Sequence, residues 1–307
     1  MNKSLIFKIF IFLILLYSID QLVGLGLKKL YFSQKAGAAY RTTYAIDSTT
    51  AEILVFGSSR ANHHYVPEVF EEGLSMSFYN TGRDGNGFLF SYAVFKAILT
   101  RYTPKIVIFD ITPGELQFKY EGYERLSSLL PYYSSHKEIR KIVNLRSSYE
   151  KYKLFSSIYP FNSTLLKSFV FNLNSSKKLK DDRKGYLPLQ GKIGVTNLIK
   201  YEYANIQLDT NIIQALDSIS KLCFDKKIKL FICDSPFYFQ TQKTKIDTLL
   251  TKLAKKNNFK YMDFSNDPYF IKHTELFRDR SHLNNEGAII YSSLVLDSIT
   301  FYCGINY

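Results

Sequence analysis

Two stretches of this chain carry side chains whose types and spacing could activate a nucleophile. The first is Gly57-Ser58-Ser59, which follows the apolar run Ile53-Leu54-Val55-Phe56. A serine just past the carboxyl end of a strand, where a helix begins, projects its hydroxyl into a crevice. Backbone N–H groups there face any developing negative charge. Taken alone, the same serine fits an ordinary helix cap. The second stretch is Asp279-Arg280-Ser281-His282-Leu283-Asn284. A carboxylate three residues before a histidine on a turn can receive the imidazole Nδ1–H, which fixes the tautomer and leaves Nε2 free to take a hydroxyl proton. Taken alone, Asp-x-x-His also serves as a surface pair or part of a metal site. His63 and His64 are adjacent and cannot both face one ion from a regular helix. No second His/Asp cluster has ligand spacing, so neither a metal nor a cofactor is expected.

Together the two stretches place a hydroxyl, an imidazole and a carboxylate at the carboxyl edge of one parallel sheet. On Gly57-Ser58-Ser59, Asp279 and His282, with the trailing Leu283-Asn284, the chain resembles the SGNH (GDSL-like) hydrolase superfamily. The resemblance spans roughly Ala51–Gly114 and Leu208–Ser298. It implies Ser59 as nucleophile, His282 as base and Asp279 as the group that orients it. It also implies a glycine shortly after the second strand whose N–H shares an oxyanion hole with that of Ser59. In Asn80-Thr81-Gly82-Arg83-Asp84-Gly85 the spacing favours Gly85, with Gly82 second.

The family's third block, a Gly-x-Asn-Asp after strand three, is absent; Asp110-Ile111-Thr112-Pro113-Gly114 stands there. Ser59 and Gly85 would then be helped by a side chain such as Arg60 or Arg83, since one missing donor costs ~3–4 kcal/mol in the barrier. Arg60, Arg83 and Arg280 are also candidates for holding an anionic group of a substrate, with surface salt bridging as the alternative. Asp110 and Asp234, at strand ends, are candidates for substrate hydroxyls or for turn and helix caps.

The arrangement is similar to membrane-anchored relatives that move acyl groups onto or off cell-envelope polymers, such as the D-alanyl transfer proteins of teichoic acid. What this implies is a serine esterase or O-acyltransferase acting on acylated cell-envelope glycans through an acyl-serine intermediate. The missing asparagine keeps open a non-catalytic glycan-binding or envelope-assembly protein on the same fold. The apolar amino terminus and the aromatic middle keep open a lipase-like esterase.

The elements that must position these residues alternate between strand and helix. Apolar runs at Ile53–Phe56, Ser75–Tyr79, Lys105–Ile111, Ile228–Cys233 and Phe259–Phe264 read as strands. Helical spacing marks Phe88–Tyr102, the series Ile212, Leu216, Ile219 and Cys223, the series Ile246, Leu249, Leu250 and Leu253, and Asn285–Ile299. Parallel strands joined by helices predict an α/β fold, a three-layer α/β/α sandwich with a flavodoxin-like sheet. Residues 115–205 break the alternation. Rich in Tyr, Ser, Lys and Asn, with helical patches at Ile139–Leu145 and Thr164–Phe171, they read as an inserted helical lid. Its tyrosines could stack on sugar rings or simply pack on the surface.

Leu5 to Leu27 is apolar except for Lys8, Ser18, Asp20 and Gln21, long enough to cross a bilayer. Its uninterrupted heart, Ile9–Tyr17, has the size of a signal-peptide core. The only small-residue site that follows, Ala36-Gly37-Ala38, lies behind Lys28, Lys29 and Lys35, which favours an uncleaved single-pass anchor. The expected layout is an anchor or signal segment over 1–30, a linker over 31–50, and the α/β domain over 51–307. Lys3 and Lys8 before the segment, against Lys28, Lys29, Lys35 and Arg41 after it, place the domain in the cytoplasm by charge count. The resemblance places it outside the cytoplasmic membrane.

The net charge of +13 comes from lysines and arginines spread along the whole chain. With no nucleic-acid-binding motif among them, a nucleic-acid partner is not expected. Attraction to an anionic membrane surface or acidic glycan fits, as does a merely solvated basic surface. Three scattered cysteines without a CxxC exclude a disulfide scaffold and a structural zinc site.

Overall fold

Short runs of β-branched and aromatic residues such as Ile53-Leu54-Val55-Phe56 and Ile106-Val107-Ile108-Phe109 are apolar at every position, as strands covered on both faces require. In the computed structural model, which describes residues 3–164, 183–194, 197–201, 207–241 and 245–304, these runs are the centre of the sheet. The chain begins with α1 (Lys3–Phe32) and α2 (Gly37–Asp47). Then follow β1 (Ile53–Phe56), α3 (Ser59–His64), α4 (Pro67–Leu74), β2 (Phe78–Asn80), α5 (Phe88–Ile98) and β3 (Ile106–Asp110). The expected insertion holds α6 (Tyr120–Glu124), α7 (Lys137–Val143), α8 (Glu150–Lys153) and β4 (Ile199–Tyr201). The alternation resumes with α9 (Thr210–Asp225), β5 (Lys229–Asp234), β6 (Phe239–Thr241), α10 (Lys245–Asn257) and β7 (Lys260–Asp263). Last come α11 (Pro268–Lys272), β8 (Phe277–Asp279), β9 (His282–Leu283) and α12 (Asn285–Cys303).

Five strands form one parallel sheet in the order β2-β1-β3-β5-β7. Its register pairs Val55 with Asn80, Phe56 with Phe109, Asp110 with Cys233, and Asp234 with Asp263. Successive strand residues feed two separate apolar clusters. Leu54, Phe56, Val107, Phe109, Leu230 and Ile232 join one, and Ile53, Val55, Ile106, Ile108, Phe231 and Cys233 join the other. This is the two-residue alternation of a strand sorted onto two covered faces. From β1 the chain goes first to one neighbour, β2, and then to the other, β3. Such a reversal opens a crevice at the strands' carboxyl ends.

The structure corrects two expectations about the connecting segments. Residues 31–50 are not a linker. Helix α1 runs on to Phe32, and α2 buries Arg41, Thr42, Ala45 and Ile46. Tyr31, Ala45 and Ile46 enter the same cluster as α5, so burial of an amphipathic face outweighs the polar composition of the segment. Residues 115–164 are likewise less a detached lid than a wall. Leu116, Tyr123, Leu126, Leu129, Ile139, Ile142 and Phe161 complete the cluster on the α5 face. The patch expected at Ile139–Leu145 is helix α7; that at Thr164–Phe171 lies, beyond Thr164, outside the described residues.

Candidate active site

Ser59 is the first residue of α3, directly past β1. The turn that presents it depends on Gly57, which has φ +148° and lies against β3. A Cβ there would sit 2.6 Å from the Asp110 carbonyl oxygen and 2.8 Å from Ala61 Cβ, so no side chain fits. At the other end of the chain, β8 and β9 pair antiparallel around Arg280-Ser281 and set Asp279 opposite His282. In the sequence this stretch reads as a plain turn; the structure adds the hairpin, because strands of three and two residues offer too little periodicity to be read.

The two stretches meet. His282 Nε2 lies 2.7 Å from Ser59 Oγ, and His282 Nδ1 lies 3.0 Å from each oxygen of Asp279. Burial pushes the Asp279 carboxyl up, but the N–H groups of Ser281 and His282 and the imidazole outweigh it and hold the carboxyl below its usual range. An ionised Asp279 accepts the Nδ1 proton and leaves Nε2 as the acceptor for the serine hydroxyl.

Neighbouring bonds hold the histidine strand in place. His64 Nε2 accepts the Leu283 N–H at 3.0 Å, while His64 Nδ1 lies 2.9 Å from Ser235 Oγ. An Nε2 that accepts is unprotonated. Burial first, then Arg60 and the neighbouring histidines, push the His64 pKa well below 6.5. On the far side, Asn284 caps α12 through Gly287 and donates to the carbonyls of Gly191 and Glu275. The "Leu-Asn" after the histidine thus acts as a clamp on both flanks. A second histidine–carboxylate contact adjoins the first. His63 Nδ1 lies 2.7 Å from the Leu187 carbonyl and Nε2 3.3 Å from Asp84, with the ring edge-on to His282 at 5.6 Å.

Ser59 and Gly85 border one cavity of about 340 Å³. Its other walls include Asn86, Glu115, Tyr123 and Arg125, so the inserted segment closes the side facing Ser59. Gly85 has φ +73°, a conformation few side chains adopt. Gly82, the second choice for an oxyanion-hole glycine, spends its N–H on Asn80 Oδ1 at 2.9 Å. Glu115, in the 3-10 turn Pro113–Leu116 that follows β3, lines the cavity and accepts the Thr112 N–H at 2.9 Å. Burial pushes its carboxyl up against the pull of Arg60.

The arginine expectations need correction. Arg60 points into the core: Nη2 lies 3.0 Å from both Asp110 and Asp234, and Nη1 donates to the Ser235 carbonyl at 2.8 Å. It is an internal counter-ion and does not line the Ser59 cavity, and Asp110 and Asp234 are its partners rather than ligands for substrate hydroxyls or caps. Burial opposes the Arg60 charge, but the two carboxylates outweigh it and raise its pKa. With one guanidinium for two carboxyls, burial pushes Asp234 well above its usual range. Arg83 donates to Thr42 Oγ1 at 2.7 Å and lies over the Phe90 ring; it borders the neighbouring groove, not the Ser59 cavity. Arg280 lies over the rings of Tyr238 and Phe239, and among the described residues it forms no salt bridge. Lys119 and Arg125 are the cations that do line the cavity, and Arg125 is bonded to the Gly85 carbonyl. Nothing in its sequence surroundings marks it. Among the described residues, no group of three or more His, Cys, Asp or Glu is placed to hold a metal ion.

No protein-family model matches this chain, and no curated protein matches it either.

Proposed function

We propose that the protein is a serine esterase or O-acyltransferase of the SGNH type, on a three-layer sandwich with a flavodoxin-like sheet, acting on acylated cell-envelope glycans. The observation that carries the reading is the line from Ser59 Oγ through His282 to Asp279, with contacts of 2.7 and 3.0 Å and Ser59 in the wall of a cavity of about 340 Å³. His282 Nε2 takes the Ser59 proton as Oγ attacks the ester carbonyl. The N–H groups of Ser59 and Gly85 receive the oxyanion, and the imidazolium returns its proton to the leaving alcohol. The acyl-Ser59 is then opened by water or by a sugar hydroxyl that uses His282 in the same way.

A fluorophosphonate probe tests the reading. Covalent labelling of the wild type, lost in Ser59→Ala, is the expected result. Absence of labelling in the folded wild type would favour the alternative, a non-catalytic glycan-binding or assembly protein. The missing third-block asparagine favours that alternative, since its absence takes one side-chain donor from the oxyanion.

α1 is long and apolar enough to span a membrane, and its apolar window is fully exposed. We place the protein in the cytoplasmic membrane as a single-pass protein with the domain outside. Protease added to intact spheroplasts should degrade the domain; complete protection would put it in the cytoplasm, as the flanking charges alone suggest.

A further inference from the structure

Where α1 meets the domain, the contacts are polar and close. Asp20 accepts the Ser156 hydroxyl and the Ser157 N–H, both at 2.6 Å, and Gln21 accepts the Ser157 hydroxyl at 2.7 Å. One turn on, Gly24 lies against Ser157 so closely that a Cβ would come within 2.3 Å of its Cβ. Residues 156–157 are therefore fixed beside Asp20–Gly24, within one or two turns of the end of the apolar run, at the depth where a bilayer's hydrocarbon gives way to headgroups.

The surface around that junction has the composition of a membrane interface. Tyr149, Tyr152 and Phe155 are exposed, Phe155 by 75%. Aromatic side chains favour the headgroup level. Between this patch and α1 opens a groove of about 420 Å³ with an apolar side, including Leu25, Leu154 and Phe155, and three cations, Lys28, Arg140 and Lys151. Among the described residues, no carboxylate lines it. Arg140 is held in place by Nε and Nη2 donations to the Tyr133 and Ser134 carbonyls, at 2.8 and 2.7 Å.

We propose that this groove binds the headgroup of an anionic phospholipid from the bilayer that α1 crosses, with the acyl chains lying along α1. Charge complementarity and continuity with the membrane-spanning helix select that occupant. The groove's three cations meet a phosphodiester, its apolar side meets the glycerol and first methylenes, and its volume suits a headgroup rather than a whole lipid. The proposal rests on the membrane placement given above but not on the acyl-transfer chemistry.

The test uses the full chain, purified in detergent and titrated by native mass spectrometry with phosphatidylglycerol or phosphatidylcholine. The expected result is a preference of roughly tenfold or more for phosphatidylglycerol, falling severalfold in Lys151→Glu and abolished in Lys28→Gln/Lys151→Glu. Esterase turnover of a soluble ester should be unchanged in Lys151→Glu. Equal binding of the two lipids, or a preference that survives the double substitution, overturns the proposal. So does displacement of phosphatidylglycerol by equimolar glycerol phosphate, which would make the ligand a soluble anion. Phe155→Ser, at an exposed position, provides a second variant: it should weaken lipid retention while leaving the fold intact. Failure of the anchor reading would look different, since alkaline carbonate would then release the wild-type protein from membranes.

Discussion

Ser59 Oγ and His282 Nε2 are 2.7 Å apart although 223 residues separate them in the chain. That contact exists because β1 delivers the serine to the crevice edge while a two-residue turn at Arg280-Ser281 folds the histidine back over its own aspartate. If the contact is the working proton path, Ser59→Ala removes turnover of a chromogenic acetyl ester to background while the thermal midpoint stays within a few degrees. A folded Ser59→Ala protein with wild-type turnover would dismiss Ser59 from the chemistry.

Asp279→Asn should leave the hairpin in place, because the new amide oxygen can still accept the Ser281 N–H now bonded at 2.8 Å. Its amide nitrogen, however, would donate toward His282 Nδ1 and drive the ring proton to Nε2, where it faces Ser59. The base is then in the wrong tautomer, and kcat should drop by about 10²–10⁴. Comparing kcat across the two proteins checks this; a loss below about threefold would reduce Asp279 to a structural role.

Arg60 is expected to govern stability rather than substrate affinity. Arg60→Ala strands Asp110 and Asp234 in the core, at a cost of about 3–5 kcal/mol. Denaturant unfolding measures it. An unshifted midpoint accompanied by a raised KM would restore Arg60 as a substrate contact.

Folding should carry a pH dependence from His64. Its pKa is held well below 6.5 in the folded state, chiefly by burial, so the unfolded chain binds this proton first. The contribution is fully present above about pH 6.5 and fades as pH falls below it, by up to about 1.4 kcal/mol per unit. His64→Gln, whose amide oxygen can take over the Leu283 N–H, should flatten that part of the stability curve between pH 6.5 and 5. Parallel curves for the two proteins would exclude His64 as the titrating group.

Much of the site was legible because its residues follow strands whose apolar runs are unmistakable. All five sheet strands fall within two or three residues of their sequence-based positions, since runs such as Ile106–Phe109 fit no other role. Asp279 and His282 stand three residues apart and Ser59 follows a clear strand, which marks all three as candidates in the sequence. What stayed hidden depends on tertiary context. Arg60 beside Ser59 looks like a surface residue until β3 and β5 bring two carboxylates to it. Arg125 reaches the cavity through a bond to the backbone of Gly85, which no spacing encodes. Helix α2 is polar in composition, and only the burial of Ala45 and Ile46 against α5 reveals its inner face.

The hooks from Asp20 and Gln21 to Ser156 and Ser157 join α1 to the domain as a mast rather than a leash. Tyr31 is buried at the base of the same helix, so little slack separates α1 from the crevice beside Ser59. On the proposed reading, Ser59 would therefore work at a set height above the lipid without sweeping a wide volume. An acceptor polymer would have to thread past it, and a long glycan chain would be modified along the band that lies at that height.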